Sequence, residues 1–319
     1  MKILIAESKG FSSAARARLE CLGRVFCEDL DRSELIAAVP EVDVLWIRLR
    51  HHIDEQILEA AKRLKVIVTP TTGLNHLDLV AAERRGISIL SLRGETTFLK
   101  EVRGTAEHTI GLLLALIRHL PQAYEHVGKG GWNRDKFWGS ELYGKTAGIV
   151  GLGRLGTIVA RYLEIFGMRV IATDPNTKQA DVPAGITLVP LKDLLTTSDV
   201  VTLHVNLTSS SQGFFSRKQF LSMKHKGWFI NTSRGELVDE VALLEALVSE
   251  YLSGAALDVL CNETQAGMSD YPLVQYAKSH NNLIITPHIG GCTAESIAKT
   301  ELYLAEKLCA LRPAGGLAS

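Results

Sequence analysis

The sequence predicts an α/β fold made of two doubly wound parallel-sheet domains. Short apolar runs alternate with helical patterns along nearly the whole chain, which is typical of parallel strands covered by helices. A glycine-rich segment near the middle of the chain begins a second round of this alternation. A length of 319 residues is enough for two domains that each bury a core of their own.

The first hundred residues contain five predicted strands with helical patterns between them. The strands are predicted at Lys2–Ala6, Val25–Cys27, Val44–Ile47, Val66–Val68 and Ile87–Leu90, and helices at Ser12–Leu22, Asp54–Ala61 and Leu77–Arg85. The loop after the fourth strand would lie at the carboxyl edge of the sheet, where open α/β sheets bind ligands. Its N–H groups around Thr72 and Gly73 can hold an anion, although Asn75 or Asp78 can equally serve as a helix cap.

The crossing between the two domains is predicted near residue 100. Ser91–Arg103 is a polar loop, and Thr105–Leu120 is a long apolar helix that we expect to end before Pro121. The next segment, Tyr124–Tyr143, carries two tryptophans among glycines and charged residues and lacks the pattern of a regular core element. It is either an arm that packs on a partner subunit or a surface loop of its own domain.

The glycine-rich segment runs from Lys145 to Pro175 and has the order strand, glycine turn, helix, strand and terminal acid. These parts are Thr146–Val150, Gly151-Leu152-Gly153-Arg154-Leu155-Gly156, about Leu155–Phe166, Met168–Thr173 and Asp174. This order is the dinucleotide-binding βαβ fingerprint. In it Gly151 permits the turn, Gly153 lets the backbone approach a pyrophosphate, and Gly156 lets helix and strand pack closely. The pyrophosphate would lie on the N–H groups at the helix N-terminus.

The terminal acid of the fingerprint indicates which dinucleotide binds. Asp174 lies 23 residues after Gly151, where a carboxylate can accept a hydrogen bond from the ribose 2′-OH. The same carboxylate would repel a 2′-phosphate and therefore favours NAD over NADP. Arg154 and Lys178 are nearby cations that could favour NADP. We expect instead that Arg154 caps the phosphate turn and that Lys178 is solvated.

The remainder of the chain continues the alternation of strands and helices. Strands are predicted at Ile186–Val189, Val200–Leu203, Gly227–Asn231, Ala255–Val259 and Leu283–Thr286, and helices at Leu191–Thr196, Arg217–Leu221 and Glu240–Val248. The last helix, Thr293–Leu311, has Thr293 as its candidate N-cap. Because no strand follows it, we expect it to pack back on one of the two domains.

Composition excludes several classes of protein. Zero net charge and a pI near 7.1 give no sign of a nucleic-acid partner. No apolar run reaches the length of a membrane span, and the N-terminus lacks the pattern of a signal peptide, so we expect a cytoplasmic protein. The five cysteines are scattered, which predicts neither structural disulfides nor a metal site.

Polar residues follow three of the later strands, at the edge where a nicotinamide would lie. Arg234 follows one strand, Glu263 comes five residues after Asp258 at the end of the next, and His288 follows the last. Hydride transfer to a keto acid needs a cation to hold the carboxylate and polarise the carbonyl, which arginine does with its fork of donors. It also needs a proton donor, and histidine with a supporting carboxylate fits. Each residue taken alone could instead be a turn, surface or packing residue.

The chain resembles the D-isomer-specific 2-hydroxyacid dehydrogenase family. The matching segments, in order from residue 70 to 291, are TTGLNHLDLVAAERRGI, VGLGRLG with its distal ATDP, SDVVTLHVNLT, FINTSRGELVDE, GAALDV with Glu263, and ITPHIGG. The resemblance implies two Rossmann-like domains with the active site in the cleft between them. Residues 1–100 with 290–319 would form the substrate domain, and residues 101–289 the NAD-binding domain.

The resemblance also implies roles for individual residues. Arg234 would bind the substrate carboxylate, Glu263 and His288 would form the acid–base pair, and the substrate-binding loop would use Thr72, Gly73 and Asn75. Contacts to NAD would come from Gly151, Gly153, Arg154, Leu155, Gly156, Asp174, His204, Thr232, Asp258 and Gly290. The family usually dimerises through its NAD domain, which favours the arm interpretation of Tyr124–Tyr143.

The expected reaction interconverts a 2-keto acid and a D-2-hydroxy acid, and the sequence leaves the substrate and the direction open. Lys100 or Arg103 in the loop Ser91–Arg103 would bind a second anionic group of the substrate, such as a phosphate, phosphonate or carboxylate. Alternatively these cations are solvated or pair with Glu95 and Glu101. Arg48 resembles a position that contacts substrate phosphate in the 3-phosphoglycerate branch.

Three other activities are weighed against this reaction. Formate dehydrogenases of the superfamily have glutamine at the position of Glu263, so Glu263 disfavours that activity. Phosphite dehydrogenases have lysine at the position of Thr72, so Thr72 disfavours that one. An NAD(H)-sensing corepressor with this fold would need a peptide-binding surface, of which composition gives no sign. Because the sequence stops at residue 319, we do not expect an end-product-controlled long form.

Overall fold

The computed structural model describes residues 1–263 and 267–311. These residues form two compact units. Unit 1 contains Met1–Val102 and the described residues from Cys292 onward, and unit 2 contains Arg103–Gly291. Each unit is built on a parallel sheet, which confirms the predicted α/β fold of two parallel-sheet domains.

Unit 1 has a five-stranded parallel sheet in the order β2-β1-β3-β4-β5. Its strands are β1 Lys2–Ile5, β2 Arg24–Cys27, β3 Val44–Trp46, β4 Val66–Thr69 and β5 Ser88–Ser91. Its helices are α1 Ser13–Glu20, α2 Arg32–Ala38, α3 Glu55–Ala60, α4 Leu79–Arg84 and α5 Thr96–Leu99, joined by α13 Ala294–Ala310 from the end of the chain.

Period-two alternation in the strands of unit 1 divides the apolar side chains between the two faces of the sheet. Ile3 and Ile5 of β1 point into one core layer with Trp46, and the intervening Leu4 points into the other. α13 closes the first of these layers, where Leu304 is completely buried. The predicted cap of this helix is confirmed, because Thr293 accepts a hydrogen bond from the backbone N–H of Ser296.

Unit 2 has a seven-stranded parallel sheet in the order β12-β11-β10-β9-β6-β7-β8. Its strands are β6 Thr146–Val150, β7 Arg169–Thr173, β8 Ile186–Leu188, β9 Val200–Leu203, β10 Trp228–Asn231, β11 Gly254–Leu257 and β12 Leu283–Ile285. Its helices are α6 Gly104–Ile117, α7 Leu120–Gly128, α8 Arg154–Ile165, α9 Leu191–Thr197, α10 Arg217–Ser222, α11 Glu240–Val248 and α12 Pro272–Ser279.

The strand order of unit 2 reverses between β6 and β9, which pair with each other although β7 and β8 intervene in the chain. Such a reversal opens a crevice at the carboxyl ends of the two strands, and ligands of open α/β sheets bind there. The glycine turn follows β6 directly, so the fold places the predicted dinucleotide site at this point.

Two local predictions about unit 2 were wrong. Pro121 was expected to follow the end of a single helix, but α6 already ends at Ile117 and Pro121 lies in the first turn of α7. Proline is accepted there because the first N–H groups of a helix have no intrahelical partner. Residues 124–128, expected to be irregular, are therefore helical. α12 was not predicted at all. In the described residues no helix is long and apolar enough to span a membrane.

Candidate active site

The glycine turn after β6 is tightly packed at Gly151 and Gly156 and open at Gly153. Gly151 has φ +94°, and a Cβ there would lie 2.6 Å from the carbonyl oxygen of His204. A Cβ on Gly156 would lie 2.0 Å from the carbonyl oxygen of Gly151, so α8 packs directly on the turn. A Cβ on Gly153 would meet no atom within 4 Å. The backbone at Gly153, the N-cap of α8, is therefore open to a ligand such as a pyrophosphate.

Asp174, directly after β7, links that strand to the glycine turn through a hydrogen bond. One of its carboxylate oxygens accepts the N–H of Leu152 at 2.8 Å, and the other accepts the N–H of Asn176 at 2.8 Å. Each oxygen retains a second lone pair, so the predicted bond to a ribose hydroxyl stays compatible with these contacts. Lys178 is exposed. Burial lowers the pKa of Arg154, and the neighbouring charge of Arg103 lowers it further.

Two predicted cofactor residues lie at the ends of neighbouring strands. His204 follows β9, and burial lowers its pKa to about 3, so its ring is neutral. Its Nε2 lies 3.1 Å from the hydroxyl of Thr202, while its buried Nδ1 has no hydrogen-bond partner among the described residues. Thr232 follows β10 and lies 2.8 Å from the hydroxyl of Thr109, which itself donates to a backbone carbonyl. Thr232 is therefore the donor to Thr109 and can still accept a hydrogen bond.

The three predicted catalytic residues all lie in unit 2, beyond β10, β11 and β12. Nδ1 of His288 is hydrogen-bonded to Oε1 of Glu263, and the two side chains are 23% and 28% exposed. Burial lowers the pKa of Arg234, while the carboxylates of Glu263 and Glu236 oppose that shift. The cation is thus partly desolvated, which strengthens its attraction for an anionic group, although the two nearby carboxylates partly offset that attraction.

The backbone around the predicted catalytic residues is held by specific hydrogen bonds. The side chain of Asn231 donates to the carbonyl of Arg234 at 2.9 Å and accepts the N–H of Ser233 at 3.0 Å, which closes the turn after β10. Glu263 also accepts the N–H of Leu260 at 3.2 Å. His288 has φ +53°, a left-handed conformation that is uncommon outside glycine.

Asp258 organises the loop that carries His288. It is buried, and its carboxylate accepts the hydroxyl of Thr286 at 2.6 Å and the N–H groups of Ile289 and Gly290 at 2.9 and 2.8 Å. Its carbonyl accepts the N–H of His288 at 2.9 Å. Burial alone would raise the pKa of Asp258, but the hydrogen bonds outweigh burial and hold the pKa below its ordinary value.

His108 is a residue of this site that the sequence did not reveal. Its Nε2 lies 3.1 Å from Oδ1 of Asp258 and 3.0 Å from the hydroxyl of Thr286. Thr286 donates its proton to Asp258, so its oxygen can only accept from His108. Nε2 of His108 therefore carries a proton that both oxygens share. A histidine in the polar first half of α6, next to the apolar run that follows, was the signal that could have identified it.

The predicted substrate-binding loop in unit 1 is shaped by a chain of hydroxyl groups. The hydroxyl of Thr71 donates to the carbonyl of Gly73 at 2.8 Å and lies 3.1 Å from the hydroxyl of Thr69, which is 3.2 Å from Nε2 of His76. Since each hydroxyl donates once, the protons run from His76 through Thr69 and Thr71 to Gly73. Thr72 and Asn75 are exposed. The cap alternative also holds for Asp78, which accepts the N–H of Ala81 at 2.9 Å.

Arg48, which resembles a position that contacts substrate phosphate, is bound to a buried carboxylate of its own unit. Its Nη2 and Nε lie 2.6 and 3.0 Å from one oxygen of the fully buried Glu301, and its Nη1 donates to the carbonyl of Lys9 at 2.8 Å. The second oxygen of Glu301 accepts the N–H of Ser12 at 2.7 Å. The guanidinium thus anchors α13 to the sheet through three of its five N–H donors.

The long loop of unit 1 is attached to α13. Glu95 bonds to Tyr303 and Lys307, so the alternative in which it pairs with the cations of its own loop is wrong. Phe98 stacks on Tyr303 with ring centroids 3.9 Å apart. Lys100 of this loop is exposed.

Comparison with known proteins identifies the family. The sequence model of the D-isomer specific 2-hydroxyacid dehydrogenase NAD-binding domain matches residues 110–290. The chain is 36% identical over 284 residues to the hydroxypyruvate reductase of Thermotoga maritima, an alignment that covers 89% of each protein. The chain belongs to the D-isomer specific 2-hydroxyacid dehydrogenase family.

Other members of the family show the range of activities and lengths. The chain is 37% identical over 309 residues to the D-3-phosphoglycerate dehydrogenase of Archaeoglobus fulgidus, an alignment that covers 97% of this chain and 56% of that protein. It thus spans about half the length of the phosphoglycerate dehydrogenases it matches. The D-lactate dehydrogenase of Aquifex aeolicus, solved with NAD and lactic acid, superposes with a TM-score of 0.82 at 26% identity and covers 97% of this chain and 95% of that one.

NAD is the cofactor of this family member. The family domain that matches unit 2 binds NAD, and the superposed lactate dehydrogenase contains it. The residues of this chain fit the group, because the open backbone at Gly153 leaves room for a pyrophosphate. The carboxylate of Asp174 disfavours a 2′-phosphate.

Proposed function

We propose that this protein transfers a hydride between NAD(H) and C2 of a 2-keto or D-2-hydroxy acid. The observation that carries the proposal is the hydrogen-bonded pair of Glu263 and His288 at the strand edge that also carries Arg234. A cation, an acid–base group and its supporting carboxylate are the minimum set for this reaction. The fold places them in the unit that binds the dinucleotide.

Each residue has a distinct role in the proposed reaction. NADH, when bound, supplies the hydride. Arg234 binds the substrate carboxylate and polarises the carbonyl through its fork of donors. His288 donates the proton to the forming alkoxide, and Glu263 holds the ring and stabilises the imidazolium through Nδ1, which leaves Nε2 as the proton donor.

Further contacts hold the cofactor and the substrate. Oδ2 of Asp258 accepts only the N–H of Gly290 among the described residues, which leaves a lone pair for an N–H of the cofactor. We assign the pyrophosphate to the turn at Gly153 and the ribose to Asp174. In unit 1, the N–H groups of the loop that contains Thr72, Gly73 and Asn75 would take the substrate carboxylate.

The substrate that fits best is a small 2-keto acid with a single carboxylate. Arg48, the residue that resembles a phosphate contact, is bound to Glu301. The Thermotoga maritima relative that matches over most of both chains is named hydroxypyruvate reductase. A substrate with a second anionic group is the alternative, and it would require the exposed Lys100 or Arg103 to read that group.

The proposed assembly is a homodimer formed through unit 2. Tyr124, Trp132, Trp138 and Tyr143 lie on its surface with 79–90% of their area exposed. Large aromatic side chains are enriched at subunit interfaces and rare at free surfaces. Their concentration in one segment supports the arm interpretation over the surface loop. Replacing Trp132 and Trp138 together by serine and measuring the molar mass in solution tests this assignment.

The test of the activity is NADH oxidation with glyoxylate, pyruvate, hydroxypyruvate, larger keto acids and phosphorylated keto acids. We expect turnover with small keto acids, and a His288→Ala variant whose kcat is lower by about 100-fold or more while KM changes less. His280→Ala, at an exposed histidine of the same unit, is the matched control. Undiminished kcat in His288→Ala refutes the assigned role. NADH binding without turnover of any keto acid would favour the corepressor function.

A further inference from the structure

We propose that Glu240 and Tyr271 are positioning residues for the acid–base pair, and that Glu240 acts as a neutral carboxylic acid. Together they hold the turn Leu260–Glu263, the segment that carries the carboxylate partner of His288. The inference rests on the catalytic role proposed for Glu263. It assigns function to two residues that touch neither the substrate nor the cofactor.

Three contacts join Glu240, Tyr271 and the turn into a closed ring. Oε1 of Glu240 accepts the backbone N–H of Cys261 at 2.8 Å. Oε2 of Glu240 lies 2.5 Å from the phenolic oxygen of Tyr271. The same phenolic oxygen lies 2.8 Å from the carbonyl oxygen of Cys261. Both backbone groups of Cys261 are therefore fixed by side chains from α11 and from the start of α12.

The oxygen of Tyr271 is in hydrogen-bond contact with two other oxygens, but the phenol has one proton to donate. Each of the two contacts of the Tyr271 oxygen needs a proton between its atoms, and a phenol supplies one. The carbonyl of Cys261 cannot donate, so the second proton belongs to Glu240. The directions then run from Glu240 to Tyr271, from Tyr271 to the Cys261 carbonyl, and from the Cys261 N–H back to Glu240. A single phenolic proton shared between both acceptors would lie on the axis of neither contact.

The surroundings of Glu240 favour the neutral form. Burial raises the pKa of Glu240, and the nearby carboxylate of Glu236 raises it further, although the bonds from Tyr271 and Cys261 oppose the shift. Burial also raises the pKa of the Cys261 thiol to about 12, with Glu240, Glu236 and Glu263 adding to the effect. Arg234 is a charged group of opposite sign on the adjoining turn, and it faces Glu263 and Glu236.

The turn that the ring holds is packed against the residues that bind the substrate. Gly235 directly follows Arg234, and a Cβ there would lie 2.0 Å from the carbonyl carbon of Leu260 and 2.3 Å from the N of Cys261. Leu260 in turn donates its N–H to Glu263. A shift of the turn therefore moves Glu263 relative to both Arg234 and His288. Because acid–base catalysis depends on such positions, small displacements lower kcat.

Ionisation of Glu240 would remove one of the three protons in the ring. The loss leaves the Tyr271 oxygen with one proton for two acceptors, and it loosens the turn. We therefore expect an alkaline decline in kcat that belongs to Glu240. The oxidation of the hydroxy acid is the direction to measure, because that direction requires neutral His288 and is not slowed by loss of the histidine proton at high pH.

The experiment compares Glu240→Gln, Glu240→Ala and Tyr271→Phe with the unchanged protein. A glutamine carries an N–H where the neutral acid carries its O–H, so Glu240→Gln should keep kcat within about twofold at pH 7 and remove the alkaline decline. Glu240→Ala and Tyr271→Phe should lower kcat by about tenfold, since each leaves a half-buried polar group without its partner. Tyr276→Phe on α12, whose ring stacks on His280, is the matched control.

The outcomes separate this inference from the proposed reaction. Infrared difference spectra between the unchanged protein and Glu240→Gln detect a protonated carboxyl without any turnover, and absence of that band overturns the neutral-acid assignment. A kcat as low in Glu240→Gln as in Glu240→Ala, or an unchanged kcat in Tyr271→Phe, overturns the positioning role. If His288→Ala turns over normally, the proposed function fails instead, and the infrared result still stands.

Discussion

Replacing Arg48 by methionine tests whether this arginine anchors α13 or binds substrate. The side chain of Arg48 is 21% exposed and that of Glu301 is 0% exposed, so the change leaves a buried carboxylate whose one remaining donor among the described residues is the N–H of Ser12. Removing one partner of a buried ion pair costs about 3–5 kcal/mol, and the partial exposure of Arg48 favours the lower end. With a urea m-value of about 1–3 kcal/mol/M, the unfolding midpoint of unit 1 should fall by roughly 1–3 M.

The assay is urea unfolding followed through the fluorescence of Trp46. This tryptophan is 1% exposed, and the other three tryptophans of the sequence, at 132, 138 and 228, lie in unit 2. The double variant Arg48→Met with Glu301→Gln should recover much of the loss because the buried charge is gone. Arg16→Met, at an exposed pair with Glu20 in the same unit, is the control and should change the midpoint little.

The pH dependence sharpens this test. Burial raises the pKa of Glu301 despite its bonds to Ser12 and Arg48, and loss of Arg48 should raise the pKa further. Such a group binds more protons in the folded state, so its contribution to stability is lost as pH rises through the folded pKa. The deficit of Arg48→Met should therefore be larger at pH 8 than at pH 5. An unchanged midpoint, with KM raised only for phosphorylated substrates, refutes the anchoring role.

Two further predictions concern the cofactor site. Gly156→Ala should lower the free energy of unfolding by about 1–3 kcal/mol, because its Cβ would lie 2.0 Å from the carbonyl oxygen of Gly151. Gly153→Ala should keep the stability and weaken NADH binding, because its Cβ would face open space. Thermal unfolding and NADH titration distinguish the two variants, and equal stabilities contradict the packing argument. The folded-state pKa of His204 is about 3, so the unfolded chain alone takes up this proton below the ordinary value of 6.5, and stability should fall as pH falls. Between pH 6.5 and 5 this amounts to about 2 kcal/mol, and His204→Gln should lose that dependence in thermal scans of the NAD-free protein.

Features encoded by neighbouring residues were predictable from the sequence. The fingerprint strand Thr146–Val150 was placed at its observed bounds, and so was helix Glu240–Val248. In both cases the apolar pattern and the flanking turn or cap residues agree locally. α7 was missed because a proline can either follow the end of a helix or lie in the first turn of the next one. The local sequence is the same in both cases, and the packing of the chain decides between them.

Features that join distant residues were not predictable from one sequence. Arg48 looks like a free cation until Glu301, 253 residues away, is seen beside it. His108 and Asp258 are 150 residues apart. The ring at Cys261 needs side chains from two helices, and nothing in the spacing of those residues marks them as a set. The three predicted catalytic residues differ because each follows a predictable strand of one parallel sheet, whose carboxyl ends share an edge.

α13 has a consequence for how the chain is made. It completes the core layer that contains Ile3 at the very start of the chain, yet about 190 residues of unit 2 are translated between Val102 and Cys292. At about 5–20 residues per second, the nascent N-terminal sheet waits roughly 10–40 s for Leu304 to emerge from the ribosome. Unit 2 is continuous and can fold during that interval. The core layer of the segment synthesised first therefore stays incomplete until α13 has been translated.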